Sequence, residues 1–290
     1  MNAAAWAPWA AAAVGVQVGA AIVATRFVVG ELGPATLAGL RYAIGLATLL
    51  PFVLAAREPA TITAREWPRI ALLGIGQFAL LIALLNLGLQ TLPAAKAALL
   101  FACFPLLTLL VAAALGHERL SPRKTLGVAF TLGGVAVALG RQALVADAPL
   151  WGELAVLGSA LCGAVCSVLY RPVLRRHAAL PVSAIAMAAA VLFLAVWAQF
   201  EEANERVPNL SATGWAAVVF IGISSGIGYF LWLWALRHAV ASKVTLYLSL
   251  SPLTAMLLGG LLLHEPLSPA LVVALLLVVL GLWVAQDRRP

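Results

Sequence analysis

Charge is what this sequence has least of. Asp, Glu, Lys and Arg make up 10% of its 290 residues, against about 25% in soluble domains. Acid is the scarcer sign, with 11 Asp and Glu against 18 Lys and Arg, and no carboxylate falls in the middle of an apolar run. With 63% of residues hydrophobic, too little polar surface is left for a soluble globular chain. Period-two alternation is missing, which excludes a membrane β-barrel. Cysteine is rare. Cys103, Cys162 and Cys166 all lie in apolar runs, make no metal set and read as small packing residues. The four His lie near the ends of runs, and no Ser/His/Asp set or carboxylate pair is placed for chemistry, so the pattern is not that of an enzyme and needs no cofactor. No loop is long enough to form a domain outside the bilayer, which argues against a sensor or scaffold. The net charge of +7 has no soluble face to form a basic groove for nucleic acid.

Long apolar runs are what remains. Runs of about 20 residues, enough to cross roughly 30 Å of hydrocarbon as helix, recur along the whole chain. Polar punctuation divides them into ten predicted spans: 8–28, 35–56, 69–90, 93–115, 121–140, 150–171, 181–200, 212–236, 239–263 and 267–286. Pro34, Pro93, Pro122, Pro149, Pro181 and Pro269 fall at or near span starts, where a missing N–H costs nothing. The first run has no basic segment before it and reads as a retained span. Basic residues mark cytoplasmic loops. With both termini inside, 13 Lys and Arg lie on the cytoplasmic side and 5, namely Arg26, Arg41, Lys96, Arg141 and Arg206, on the other.

The sequence also repeats itself. Residues 96–122 and 243–269 align without a gap at an offset of 147 (243 minus 96), with 11 identities in 27 positions. Lys96/Lys243, Pro105/Pro252, His117/His264, Glu118/Glu265 and Ser121-Pro122/Ser268-Pro269 are scarce residue types whose alignment is not accidental. The repeat divides the chain into halves, 1–145 and 146–290, of five spans each. An odd number of spans makes the second half enter the membrane inverted, the arrangement by which transporters expose one site to either side. The fold class is therefore all-α membrane protein, ten spans in two inverted five-helix repeats around a central cavity.

Two inverted halves, each with a Pro-containing fourth span ending in His-Glu-x-Leu-Ser-Pro, resemble the EamA-type transporters of the drug/metabolite transporter superfamily. Arg41 in Leu40-Arg41-Tyr42-Ala43 is similar to that family's second span, although the seventh span has no matching Arg. The resemblance implies a small-molecule carrier of the inner membrane, commonly an exporter of amino acids or metabolites. Spans one to four and six to nine would surround a cavity, with five and ten outside it. Within the family the chain is similar to the YddG-like aromatic amino-acid exporters. Nucleosides, phosphorylated metabolites and drugs are the alternative cargoes. Lipid and a small-molecule substrate are the expected partners, and one chain completes the inverted pair, so a monomer suffices.

Polar and aromatic groups at mid-membrane depth are candidates for substrate binding. They are Gln17 on span one, Gln77 and Phe78 on span three, Phe101 on span four, Ser225, Tyr229 and Trp232 on one face of span eight, and Tyr247 and Ser251 on span nine. Lys243, Tyr247, Ser251 and Thr254 form one polar stripe, to face a cavity or a partner helix. Pro105 and Pro252 each free a carbonyl one turn earlier, at Phe101 and Leu248, as gating elements or as plain kinks. Lys96 and Lys243 are candidate anion contacts, the alternative being snorkelling to the interface. Gly15/Gly19 and Gly222/Gly226 are small-xxx-small pairs that predict close helix contacts. Without an intramembrane carboxylate to relay protons, the expected mechanism is facilitated diffusion or exchange.

Overall fold

The protein is described from a computed structural model covering residues 3–55, 62–117, 121–139, 150–201, 209–266 and 268–285. Glu118, Pro149 and the loop charges Arg141 and Arg206 lie outside the described residues. Those residues form thirteen α-helices and no strand. Seven spans are single helices: α1 (Ala3–Val28), α2 (Pro34–Ala55), α7 (Pro122–Leu139), α8 (Trp151–Leu174), α9 (Ala179–Ala198), α10 (Ala212–His238) and α13 (Pro269–Ala285). Three are interrupted. The third span is α3 (Trp67–Gly74), a π-turn (Ile75–Leu80) and α4 (Leu81–Leu89). The fourth is α5 (Ala94–Phe101) and α6 (Phe104–Ala114), and the ninth is α11 (Ala241–Leu246), a 3-10 turn (Tyr247–Ser249) and α12 (Leu250–Leu262). Eight of the ten spans are long and apolar enough to cross a membrane, and part of α13 is a shorter apolar helix. The chain is a multi-pass membrane protein.

Local chemistry explains where the helices begin. Pro34, Pro122 and Pro269 are first residues of α2, α7 and α13, where fixed φ suits the helix and no N–H is lost. The Ser before two of them caps the turn. Ser121 Oγ accepts from Lys124 N at 3.4 Å and Ser268 Oγ from Leu271 N at 3.3 Å. The repeated Ser-Pro pair is thus a helix start used twice. The breaks in the fourth and ninth spans have the expected cause: Pro105 and Pro252 cannot donate to the carbonyls of Phe101 and Leu248. Both interruptions fall within the turn before those prolines.

Packing follows the repeat. The first span packs on the eighth and ninth, and the sixth on the third and fourth. The second packs on the seventh and eighth, and the seventh on the second and third. The fourth packs on the ninth, the fifth on the tenth. Exchanging each span with its mate in the other half leaves this pattern unchanged, as an inverted pair about a pseudo-two-fold axis requires. Glycines set the closest crossings. A Cβ on Gly19 would lie 2.5 Å from the Ser251 carbonyl oxygen, and one on Gly226 would lie 2.6 Å from that of Gly45. Gly15 faces the Tyr247 carbonyl in the same way.

One end of the bundle is bound across the halves by carboxylates. Glu201, after α9, accepts from Ala35 N and Thr36 N at 2.8 Å each, and from the Thr36 hydroxyl at 2.8 Å. Glu265, after α12, accepts from Ala94 N at 3.0 and 2.9 Å through its two oxygens and lies 3.7 Å from Arg26 Nε. Each acid meets the positive end of a helix from the first half. At the other end His177 pairs with Glu66 at 2.9 Å. That contact and hydrogen bonds from Thr63 hold the Glu66 carboxyl down at about 2.

Candidate central cavity

A cavity lies between the halves, with ≈ 490 Å³ of atom-free space counting the solvent at its open mouth. Its walls come from six spans. The first contributes Val14, Gln17, Val18 and Ile22, the second Arg41, and the third Gln77, Leu81, Ile82 and Leu85. The fourth adds Phe101 and Phe104, the eighth Gly228, Tyr229 and Trp232, and the ninth Leu248. The fifth and tenth spans contribute none of these residues, and neither do the sixth and seventh, which the resemblance had placed around the cavity.

At the offset of the repeat, the walls pair: Leu81 with Gly228, Ile82 with Tyr229, Leu85 with Trp232, and Phe101 with Leu248. The cavity therefore straddles the pseudo-two-fold axis. Phe101 and Leu248 are also the residues whose carbonyls Pro105 and Pro252 leave free, so both helix breaks open at the same chamber. The lining itself is asymmetric. The eighth span supplies aromatic rings where the third supplies aliphatic chains, and α1 supplies a wall that its mate α8 does not. A ligand without two-fold symmetry meets a different surface on each side.

Five of the sequence candidates line the cavity: Gln17, Gln77, Phe101, Tyr229 and Trp232. The π-turn of the third span carries Gln77 and Phe78; its Gly76 carbonyl accepts the Leu81 N–H and also the Cys162 thiol at 3.3 Å. Gln77 is 3% exposed and its Oε1 has no hydrogen-bond partner. Gln17 donates to Ser224 Oγ at 3.2 Å. Tyr42 O–H donates to the Tyr229 hydroxyl at 2.8 Å, and Phe78 meets Tyr229 edge-on with ring centroids 4.6 Å apart. Trp232 crosses Phe104 edge-on at 6.0 Å and leaves its Nε1 buried and unpartnered.

Other candidates are placed elsewhere. Phe78 is fully buried behind Tyr229. The stripe on the ninth span faces a partner helix instead of the cavity. The 3-10 turn directs Leu248 inward and sets the backbone of Tyr247 and Ser251 against Gly15 and Gly19 of α1. Ser251 is buried there, and Thr254 satisfies its hydroxyl on the Leu250 carbonyl at 3.0 Å. Neither lysine reaches the cavity. Lys96 Nζ lies 2.8 Å from the buried carboxylate of Glu153, which neutralises it, and Lys243 is exposed. Pro105 and Pro252 act through the backbone, as described.

The cation in the cavity is Arg41, which the charge census assigns to the outer side. It is 4% exposed, and its Nε donates to Ser225 Oγ at 2.7 Å. Ser225 thus reaches the site through Arg41. The close crossing of α2 and α10 at Gly45 and Gly226 permits that bond. Its readable signal was a lone charge seven residues inside an apolar span, a position that costs about 2.5–3.5 kcal/mol on insertion scales and so calls for a use. Phe104 and Tyr42 were missed because nothing in a local aromatic residue tells cavity from lipid.

Residues 5–140 and 150–285 each match the EamA-like transporter family. The chain belongs to this family. An aromatic amino-acid exporter, YddG, of Ancylobacter novellus is 31% identical over 70% of this chain and 70% of its own. A probable terminal-alkyne amino-acid exporter of Streptantibioticus cattleyicolor is 30% identical over 78% and 75%. An uncharacterized transporter, YoaV, of Bacillus subtilis is 24% identical over 90% of each chain. One crystal structure superposes with a TM-score of 0.73 at 26% identity, covering 97% of this chain and 96% of the other.

Proposed function

We propose that the protein is a secondary carrier of the inner membrane that exports amino acids with aromatic or apolar side chains by alternating access, with both termini in the cytoplasm. The observation that carries this reading is the composition of the central cavity. Rings of Phe101, Phe104, Tyr229 and Trp232 surround a few polar groups, Gln17, Gln77 and Arg41, as suits a flat apolar ligand oriented by its polar end. Two relatives named as amino-acid exporters support it. The halves 1–145 and 146–290 work as the two moving units, one chain is sufficient, and the bilayer is its surroundings. The cavity-lining residues include no carboxylate, which favours exchange or facilitated diffusion over proton coupling.

Counterflow in proteoliposomes tests the carrier mechanism. Unlabelled phenylalanine inside should accelerate entry of labelled phenylalanine from outside. Entry indifferent to the inside concentration would contradict alternating access.

A further inference from the structure

The cavity carries one fixed charge and no charge of the other sign. A guanidinium keeps its charge in proteins, and Arg41 uses one donor, Nε, on Ser225. Glu153, the buried carboxylate among the described residues, and the half-buried Glu201 and Glu265 are already engaged. Glu153 holds Lys96, Glu201 caps α2, and Glu265 caps α5 beside Arg26. Arg41 has no ion pair among the described residues. Two further polar atoms of the lining are buried without a hydrogen bond, the acceptor Gln77 Oε1 and the donor Trp232 Nε1. The ligand that completes this set brings one negative charge, an acceptor geometry that fits a guanidinium fork, and an apolar body. For a positive group the cavity offers only neutral acceptors, the Gln77 amide oxygen and the Phe101 and Leu248 carbonyls, which accept a hydrogen bond without neutralising charge.

Resting on the reading of this cavity as the substrate site, we infer that it is a monocarboxylate site: Arg41 holds the carboxylate, and the α-ammonium of an amino acid, received at Gln77 Oε1, is dispensable. Ser225 is a positioning residue that aims the guanidinium. The specificity that follows is unequal for the two ends of an amino acid. Removing the ammonium preserves recognition and removing the carboxylate abolishes it. A phosphate monoester, with its second charge, is left half compensated.

Thermal stabilisation of the purified protein in nanodiscs by phenylalanine, 3-phenylpropanoate, phenethylamine and phenyl phosphate reads this directly. The two carboxylates should raise the melting temperature, with phenethylamine and phenyl phosphate silent at the same concentration. Arg41→Gln should weaken both carboxylates by roughly ten- to a hundredfold, the worth of a charge-assisted bond, and Arg41→Lys should recover part of that loss. Stabilisation by phenethylamine equal to that by 3-phenylpropanoate, preference for phenyl phosphate, or no response to any ligand would overturn the assignment. If Arg41→Gln does not fold, the wild-type panel and Arg41→Lys decide. Flux is scored separately. The predicted binding order without phenylalanine transport would sink the export reading and leave the anchor, whereas phenylalanine transport blocked equally by phenethylamine would do the reverse.

Discussion

Trp232 carries the largest ring on the cavity wall, and its contact with Phe104 fixes the orientation of that ring. An aromatic pair is worth about 0.5–1.5 kcal/mol beyond buried area. Trp232→Ala should therefore raise the KM for phenylalanine up to roughly tenfold, while Trp9→Ala, at a position 71% exposed, leaves it unchanged. Transport assays with both variants check this. Glu66 makes a pH prediction. His177 and Thr63 lower its carboxyl from the usual 4.5 to about 2 in the folded protein. A depressed carboxylate stabilises the fold fully above its unfolded value and loses that contribution as pH falls through the folded one. The melting-temperature advantage of wild type over Glu66→Gln should shrink as pH falls below 4.5 and vanish near 2. An advantage that grows on acidification would contradict the pairing. Single residues were unevenly legible in the sequence. Gln77 and Trp232 stand out as polar or bulky groups at depth. Lys96 does not reveal that Glu153, 57 positions away, takes its charge, and Arg41 does not reveal Ser225, 184 positions away.

At the scale of elements, the interrupted spans set the chamber. Pro105 and Pro252 break their helices at matching places in the repeat, and each break presents a lining residue, Phe101 or Leu248. Replacing either with Ala would restore the missing backbone bond. Pro105→Ala and Pro252→Ala should raise the melting temperature and slow turnover severalfold, measured in the same proteoliposomes; unchanged turnover would reduce both prolines to packing kinks. Glycines give the complementary test. Gly226→Ala would press a methyl against the Gly45 carbonyl and should cost about 1–3 kcal/mol. Gly133→Ala meets nothing within 4 Å and should gain about 0.5–1 kcal/mol in a helix. Opposite shifts in melting temperature check the pair. Eight of the ten spans were readable because their apolar length alone announces a crossing. The π-turn and the 3-10 turn were not, because they answer to neighbours. The π-turn follows Gly74, the last residue of α3, packed on Ala186, and carries Gly76 against Cys166, and the 3-10 turn follows the backbone contact between Tyr247 and Gly15.

At the scale of the molecule, the repeat, the self-matching packing and the cavity on the axis describe two halves meeting around one chamber. Glu201 and Glu265 bind helix starts across the halves at one end, where α2 and α5 begin. Glu265→Gln should loosen this end, at the cost of about 0.5–2 kcal/mol typical of a helix cap. Faster hydrogen exchange at the start of α5 is the expected signature, and unchanged exchange there would show that the contact does not hold the halves together. The central claim is that the chamber between the halves carries substrate. It is tested most directly by following labelled phenylalanine and labelled aspartate into proteoliposomes, with and without an imposed pH gradient. The account predicts phenylalanine flux that needs no pH gradient, excludes aspartate and falls with Trp232→Ala. Flux of neither compound, or flux that requires the gradient and ignores the Trp232 substitution, would contradict it.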